Sequence, residues 1–219
     1  MSYNKTYAVL GLGRYGIAVA KELVRSGAEV LAIDIDQDVV NAAIAEVPYC
    51  KCADITDMEV MKHLGINNVD VAIIGISEKI DISVMAVMNC KELGVPTVIA
   101  KCATEMECKI LEKVGADQVV FPEQESGTRL AKNMISNGFM DIMDLSDDAT
   151  MVEFDVKDSW AGKTLIELDF RNKFGANIIA ILQNGKMDIN VDPNKPLQKS
   201  MSLIVIANPK MLEKMKKVK

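Results

Sequence analysis

Three glycines, Gly11, Gly13 and Gly16, follow the apolar run from Tyr7 to Leu10 and lead into a helix-like segment from Ile17 to Arg25. This is a G-x-G-x-x-G pattern set between a strand and a helix, the context in which it means dinucleotide or nucleotide binding. The first glycine permits a sharp turn, the second lets a diphosphate approach the backbone, and the third lets the helix pack close to the strand. The helix then offers free N–H groups and the positive end of its dipole to phosphate oxygens. A second strand from Ala28 to Ile33 ends at Asp34, eighteen residues beyond Gly16, where a carboxylate can accept hydrogen bonds from ribose hydroxyls. Asp34 also disfavours a ribose 2′-phosphate and hence NADP. Glycines that merely serve a tight turn are the plain alternative.

The elements that must carry this loop are legible as alternating segments. Asp36 to Val47 reads as a helix capped by Asp36, Tyr49 to Ala53 as a third strand and Thr56 to Leu64 as a short helix. Val69 to Ile76 is almost wholly apolar, as suits a strand covered on both faces. A helix from Ile80 to Leu93, a strand from Thr97 to Lys101, a helix from Thr104 to Val114, a strand from Gln118 to Phe121 and a helix from Pro122 to Ile135 complete six βα units. The fold class is therefore α/β, a doubly wound, Rossmann-like parallel sheet over residues 1–140. Residues 141–219 change character and predict a small α+β module. In it, Asp141 to Asp148 reads as acidic and turn-like, Met151 to Val156 as a strand and Trp160 to Phe174 as holding one short helix. Asn177 to Leu182 and Met201 to Ala207 read as strands, and Asn184-Gly185 as a hairpin turn.

Composition narrows the function class. The chain has 219 residues, 49% hydrophobic and 26% charged, with net charge −6, enough apolar surface for a sizeable core and the wrong sign for a nucleic-acid partner. No segment reaches the ~18 uncharged apolar residues of a membrane span, and Met1 to Lys5 lacks a signal-peptide core, so a cytosolic protein is expected. The lysines from Lys210 to Lys219 read as the solvated face of a last helix. The five cysteines, Cys50, Cys52, Cys90, Cys102 and Cys108, are expected as buried, reduced thiols without zinc.

An oxidoreductase would need a proton donor near a nicotinamide. The chain offers one histidine, His63, at a helix end, and no Tyr-x-x-x-Lys pair. A nucleotide here reads as sensed and not reacted, and no enzyme activity is expected. A small NAD(H)-dependent oxidoreductase and a stand-alone nucleotide or redox sensor are the alternatives.

Longer blocks carry a resemblance. Tyr7 to Gly16, Lys21-Glu22-Leu23, Leu31 to Asp34, Leu111 to Asp117, Phe121-Pro122-Glu123, Asp144 to Asp147, Ile166 to Arg171 and Phe174-Gly175 resemble the RCK-domain regulatory subunits of Ktr/Trk-type potassium uptake systems. The closest likeness is to the Ktr-type cytosolic gating subunit, with one RCK unit per chain. That resemblance implies an adenine nucleotide (ATP/ADP or NAD(H)) bound by Gly11, Gly13, Arg14, Tyr15, Gly16, Asp34, Ile35, Ala53, Asp54, Lys101 and Glu123. Arg14 would contact a terminal phosphate, unless it only shields the turn. Glu123 would reach the phosphates, or a Mg2+ or Ca2+ ion on them, from a neighbouring subunit, unless it merely favours a helix N-terminus. In the small module the resemblance implies a cyclic di-AMP site at Leu165, Ile166, Arg171, Asn177, Ile178 and Pro193, although the aliphatic members suit a core or dimer interface equally. It further implies homodimers assembling into a ring, an octamer in the family. The ring would act on a membrane-embedded potassium translocator, with the chain peripheral to the inner face of the cell membrane.

Overall fold

In the computed structural model the described residues are 5–76, 79–135, 139–146 and 148–212. The lysines read as a solvated terminal face lie, beyond Lys210, outside them. The chain divides into two compact units, residues 1–123 and 124–219. No helix among the described residues is long and apolar enough to cross a membrane.

The first unit alternates strand and helix. Its elements are β1 (Thr6–Leu10), α1 (Arg14–Arg25), β2 (Glu29–Asp34), α2 (Gln37–Ala43), β3 (Cys50–Cys52), α3 (Met58–His63), β4 (Val71–Ile74), α4 (Ile80–Glu92), β5 (Thr97–Lys101), α5 (Glu105–Lys113) and β6 (Gln118–Val120), after which α6 (Pro122–Ile135) begins. The strands are parallel in the order β3-β2-β1-β4-β5-β6. The order reverses between β1 and β4, which leaves a crevice at their C-terminal ends where ligands of open α/β sheets bind. The doubly wound sheet expected from the sequence is present.

Strand alternation feeds two cores. Ala8, Leu10, Ile33, Ala72, Ile74, Val98 and Ala100 face Met61, Ala86, Val87, Cys90 and Leu111 of α3, α4 and α5. Val9, Val30, Ala32, Val71 and Ile73 face Ala20, Val40 and Ala43 of α1 and α2. All four residues of β4 are buried, so its unbroken apolar run reports a central parallel strand. Local chemistry sets the helix starts: Asp36, Asp57 and Thr104 each accept a backbone N–H of the following turn.

The second unit is antiparallel. It holds β7 (Phe139–Ser146), β8 (Ala149–Asp155), α7 (Leu165–Leu168), α8 (Phe170–Phe174), β9 (Asn177–Gln183), β10 (Lys186–Asp188) and β11 (Met201–Ala207), with sheet order β10-β9-β11-β8-β7. Three sequence expectations are corrected here and in the first unit. The acidic stretch read as a turn is β7, paired with β8 from Ile142↔Val152 to Ser146↔Ala149. Its acids lower intrinsic strand preference, but β7 is an edge strand, where charges are tolerated and useful. The single helix read within Trp160 to Phe174 is two, because Asp169 takes a left-handed conformation (φ 48°) between α7 and α8. Cys102 and Cys108 are not reduced thiols but a disulfide. The Asn184-Gly185 turn does join two paired strands, β9 and β10.

Aromatic packing holds this unit. Trp160 lies edge-on to Phe154 and Phe170, with ring centroids 5.7 and 4.9 Å away, and Phe174 packs against Phe170 at 5.2 Å. All four side chains are buried. Because Trp160 is the one tryptophan, its fluorescence reports the unfolding of this unit. Phe170→Ala should lower the stability read by Trp160 fluorescence in urea by about 3–5 kcal/mol. An unchanged midpoint would show that the aromatic cluster does not stabilise the unit.

Candidate functional site

The glycine loop occupies the crevice at the end of β1. Gly11 has φ +91°, and its N–H donates to the Ile33 carbonyl at 2.7 Å. A Cβ on Gly16 would stand 1.9 Å from the Gly11 carbonyl oxygen, and one on Gly75, beyond β4, 2.9 Å from the same atom. Three backbone segments therefore meet where no side chain fits. In the sequence, Gly75 carries only one signal, a glycine just past a buried strand. A Cβ on Gly13 would meet nothing within 4 Å. Gly13 is the N-cap of α1 and no side chain caps it, so the first-turn N–H groups lie beside open space of the kind a phosphate takes.

Asp34 does more than the sequence suggests. Its carboxylate accepts the Leu12 N–H at 2.6 Å and the Asp36 N–H at 2.9 Å, which ties the glycine loop to the end of β2. A carboxylate has about four acceptor positions, and the Leu12 and Asp36 N–H groups use two of them.

Charge of both signs gathers at this edge. Arg14, the first residue of α1, is exposed. Lys101, the last residue of β5, is buried, with its Nζ 2.7 Å from a Glu123 carboxylate oxygen and 5.8 Å from the centre of the Tyr15 ring. The Lys101 hydrogen bond, helped by a backbone N–H and by the charges of Lys101 and Arg14, holds the Glu123 carboxyl below the usual range. Arg14, Tyr15, Lys101 and Glu123 thus share one neighbourhood. Glu123 is engaged by Lys101 of its own chain.

The remaining residues of the set lie along β2 and β3. Ile35, just past Asp34, is 70% exposed. The Ala53 N–H donates to the Asp34 carbonyl at 2.9 Å. Asp54 accepts both the hydroxyl and the N–H of Thr56, at 2.7 and 2.9 Å, and these bonds hold its pKa down. His63 ends α3 with Nδ1 2.7 Å from the Glu59 carbonyl. Among the described residues no group of three or more His, Cys, Asp or Glu side chains could hold a metal ion.

In the second unit, Leu165, Ile166, Arg171, Asn177, Ile178 and Pro193 line one open depression of about 410 Å3. It is built by α7, α8 and the start of β9. Thr164 and Glu167 form a reciprocal capping box that fixes the start of α7, and the Ile166 N–H donates to the Pro193 carbonyl at 3.4 Å. Ile166 is 59% exposed and Leu165 buried; Arg171 and Asn177 are exposed at the rim. Residues far apart in sequence are therefore brought to one surface that offers a cation, an amide and aliphatic walls.

Comparison with known proteins places this arrangement. The profile of the TrkA-N domain matches residues 7–122 and that of the TrkA-C domain residues 150–219. The Ktr system potassium uptake protein C of Bacillus subtilis is 38% identical over 94% of this chain and 93% of its own. The Ktr system potassium uptake protein A of the same organism is 32% identical over 96% and 95%. Among solved structures, the GsuK channel bound to NAD aligns with a TM-score of 0.50 at 21% identity, over 96% of this chain and 38% of that one, a likeness of fold. With both domains matched and relatives of this identity along nearly its whole length, the chain belongs to the TrkA-N/TrkA-C family of Ktr/Trk-type potassium uptake proteins.

Proposed function

We propose that this chain is a nucleotide-binding regulatory subunit of a potassium uptake system, not an enzyme. The observation that carries the reading is the glycine loop itself. It is tied down by Asp34, opens at Gly13 onto the start of α1, and is flanked by Arg14 and Lys101. Those groups suit the ribose and phosphates of an adenine nucleotide, ATP, ADP or NAD(H). The GsuK channel, which shares the fold, was solved with NAD, and the curated relatives are potassium uptake proteins.

The non-enzymatic part rests on the first unit's chemistry. His63 is spent on a backbone carbonyl at a helix end, and the ionisable groups described near the loop include Arg14, Tyr15, Asp34, Lys101 and Glu123, a set suited to binding. Mg2+ or Ca2+ would join the site through nucleotide phosphates with Glu123 as the protein ligand, once that carboxylate leaves Lys101. Copies of the chain would form dimers and then a ring, an octamer by family likeness, held against a membrane-embedded translocator from the cytoplasmic side. Bound nucleotide would favour one shape of the ring. Moving such an equilibrium from 1:99 to 99:1 takes about 5.5 kcal/mol of differential binding, a load that several sites can share.

A boundary near residue 140 would divide these roles, with nucleotide before and a second ligand after. The depression at Leu165, Ile166, Arg171, Asn177, Ile178 and Pro193 would take cyclic di-AMP across a two-fold axis between two chains. Arg171 would meet a phosphate and Asn177 a base edge.

Calorimetry tests the main site. Asp34→Ala should weaken ADP and NAD+ by roughly tenfold or more, since hydrogen bonds to a charged group contribute about 1.5–3 kcal/mol. Unchanged affinity removes Asp34 from the site, and no binding of any adenine nucleotide by the native chain overturns the nucleotide reading. Arg14→Ala should weaken ATP more than AMP; equal losses would leave Arg14 a shield of the turn. For the second site, titration should give one cyclic di-AMP per two chains, lost in Arg171→Ala while ADP binding persists. One ligand per chain, or none, would make the module an assembly domain only.

A further inference from the structure

The turn between β5 and α5 carries a covalent feature that nucleotide binding does not require. Cys102 follows Lys101 directly, and its sulfur is bonded to that of Cys108 in α5, with the Cα atoms 5.2 Å apart, a separation that disulfides span. The other three cysteines are free. Burial raises the pKa of Cys50 and pushes the Cys90 thiol up to about 12, which keeps both from the reactive thiolate form.

The position of the bond matters. The Cys102 N–H donates to the Val120 carbonyl at 2.9 Å, three residues before Glu123. Cys102 is thus joined by chain to Lys101 and by a strand hydrogen bond to the segment that delivers Glu123. Inside the closed loop, the Ala103 N–H donates to a Glu107 carboxylate oxygen at 2.8 Å, and Thr104 caps α5. The disulfide therefore fastens the end of β5, and with it the root of Lys101, to the first turns of α5.

We propose that Cys102 and Cys108 form a reversible thiol–disulfide site, served by low-molecular-weight thiols and disulfides, that sets the nucleotide affinity of the cleft through Lys101. This rests on the nucleotide reading above. Cys102 is fully buried and Cys108 half-buried, so an incoming thiolate attacks the Cys108 sulfur. A new sulfur–sulfur bond forms there as the protein's bond breaks, and the electron pair leaves on Cys102, which takes a proton. A second thiolate attacks the external sulfur of the mixed disulfide. The small-molecule disulfide departs, and Cys108 keeps the electron pair and takes a proton. Two electrons pass from two external thiols to the protein, and a small-molecule disulfide drives the reverse. In the oxidised state Lys101 is held in place before ligand arrives. In the reduced state that ordering is charged against binding.

The test uses the full chain, equilibrated with either glutathione or oxidised glutathione and then titrated with ADP. Alkylation and non-reducing peptide mapping record the state of each cysteine. The oxidised chain should show the Cys102–Cys108 cross-linked peptide and bind ADP about threefold or more tightly than the reduced chain, the gain expected from ordering a segment in advance. Cys108→Ser should match the reduced chain under both conditions. Absence of the cross-linked peptide, equal affinity in the two states, or a redox shift that survives Cys108→Ser would each overturn the proposal. Equal but measurable affinity leaves the nucleotide reading standing. Absence of ADP binding in both states removes it and the redox site together.

Discussion

Everything at the glycine-loop cleft depends on the close meeting of three backbones around the Gly11 carbonyl. Gly16 in α1 and Gly75 beyond β4 approach that oxygen so tightly that a Cβ on either would collide with it. Packing at this density has no slack. It fixes how α1 leaves β1, and therefore where its first N–H groups point. The Asp34 carboxylate then locks the loop from the β2 side through Leu12. One acid so performs two tasks, closing the loop and presenting its spare acceptor positions to the crevice. A ligand that uses those positions meets a carboxylate whose orientation is already settled, which lowers the ordering cost of binding.

The second unit is held by other means. Its sheet is antiparallel, and α7 and α8 are too short to be stable on their own. Trp160, Phe154, Phe170 and Phe174 compensate by packing together, Trp160 edge-to-face on Phe154 and Phe170, with Phe174 tilted against both Trp160 and Phe170. The left-handed Asp169 between α7 and α8 redirects the chain so that Phe170 turns into the core and Arg171 stays outside. The same bend therefore builds the core and positions the cation at the rim of the depression.

How far the sequence could be read varies with the physics of each signal. The parallel sheet was legible because strands buried on both faces write unbroken apolar runs, as Val71 to Ile74 does. The glycine loop was legible because its spacing is tied to the strand and helix around it. The strand β7 was not, since its partner β8, and not its own acidic residues, decides its conformation. The break at Asp169 is not legible because a single left-handed residue leaves no periodic trace. The Cys102–Cys108 bond was missed because the odd count and the spread through apolar segments argued for reduced thiols, and only folding brings the two together. The six residues of the second-unit depression are legible only through family likeness, since no local pattern links Leu165 to Pro193.

The two cations of the cleft differ in what they can contribute. Arg14 is exposed and solvated, so a phosphate that pairs with it displaces water from both. Lys101 has a side chain only 9% exposed, and Glu123 neutralises it. A buried ammonium without a partner is costly, so a phosphate bound at Lys101 would replace one anion by another and gain only the difference. Lys101 would then contribute less to affinity than its charge alone suggests. Glu123 stands at the first turn of α6, at the border of the first unit. On the proposed nucleotide reading, exchange of anions at this one buried lysine would link occupancy of the cleft to the start of α6.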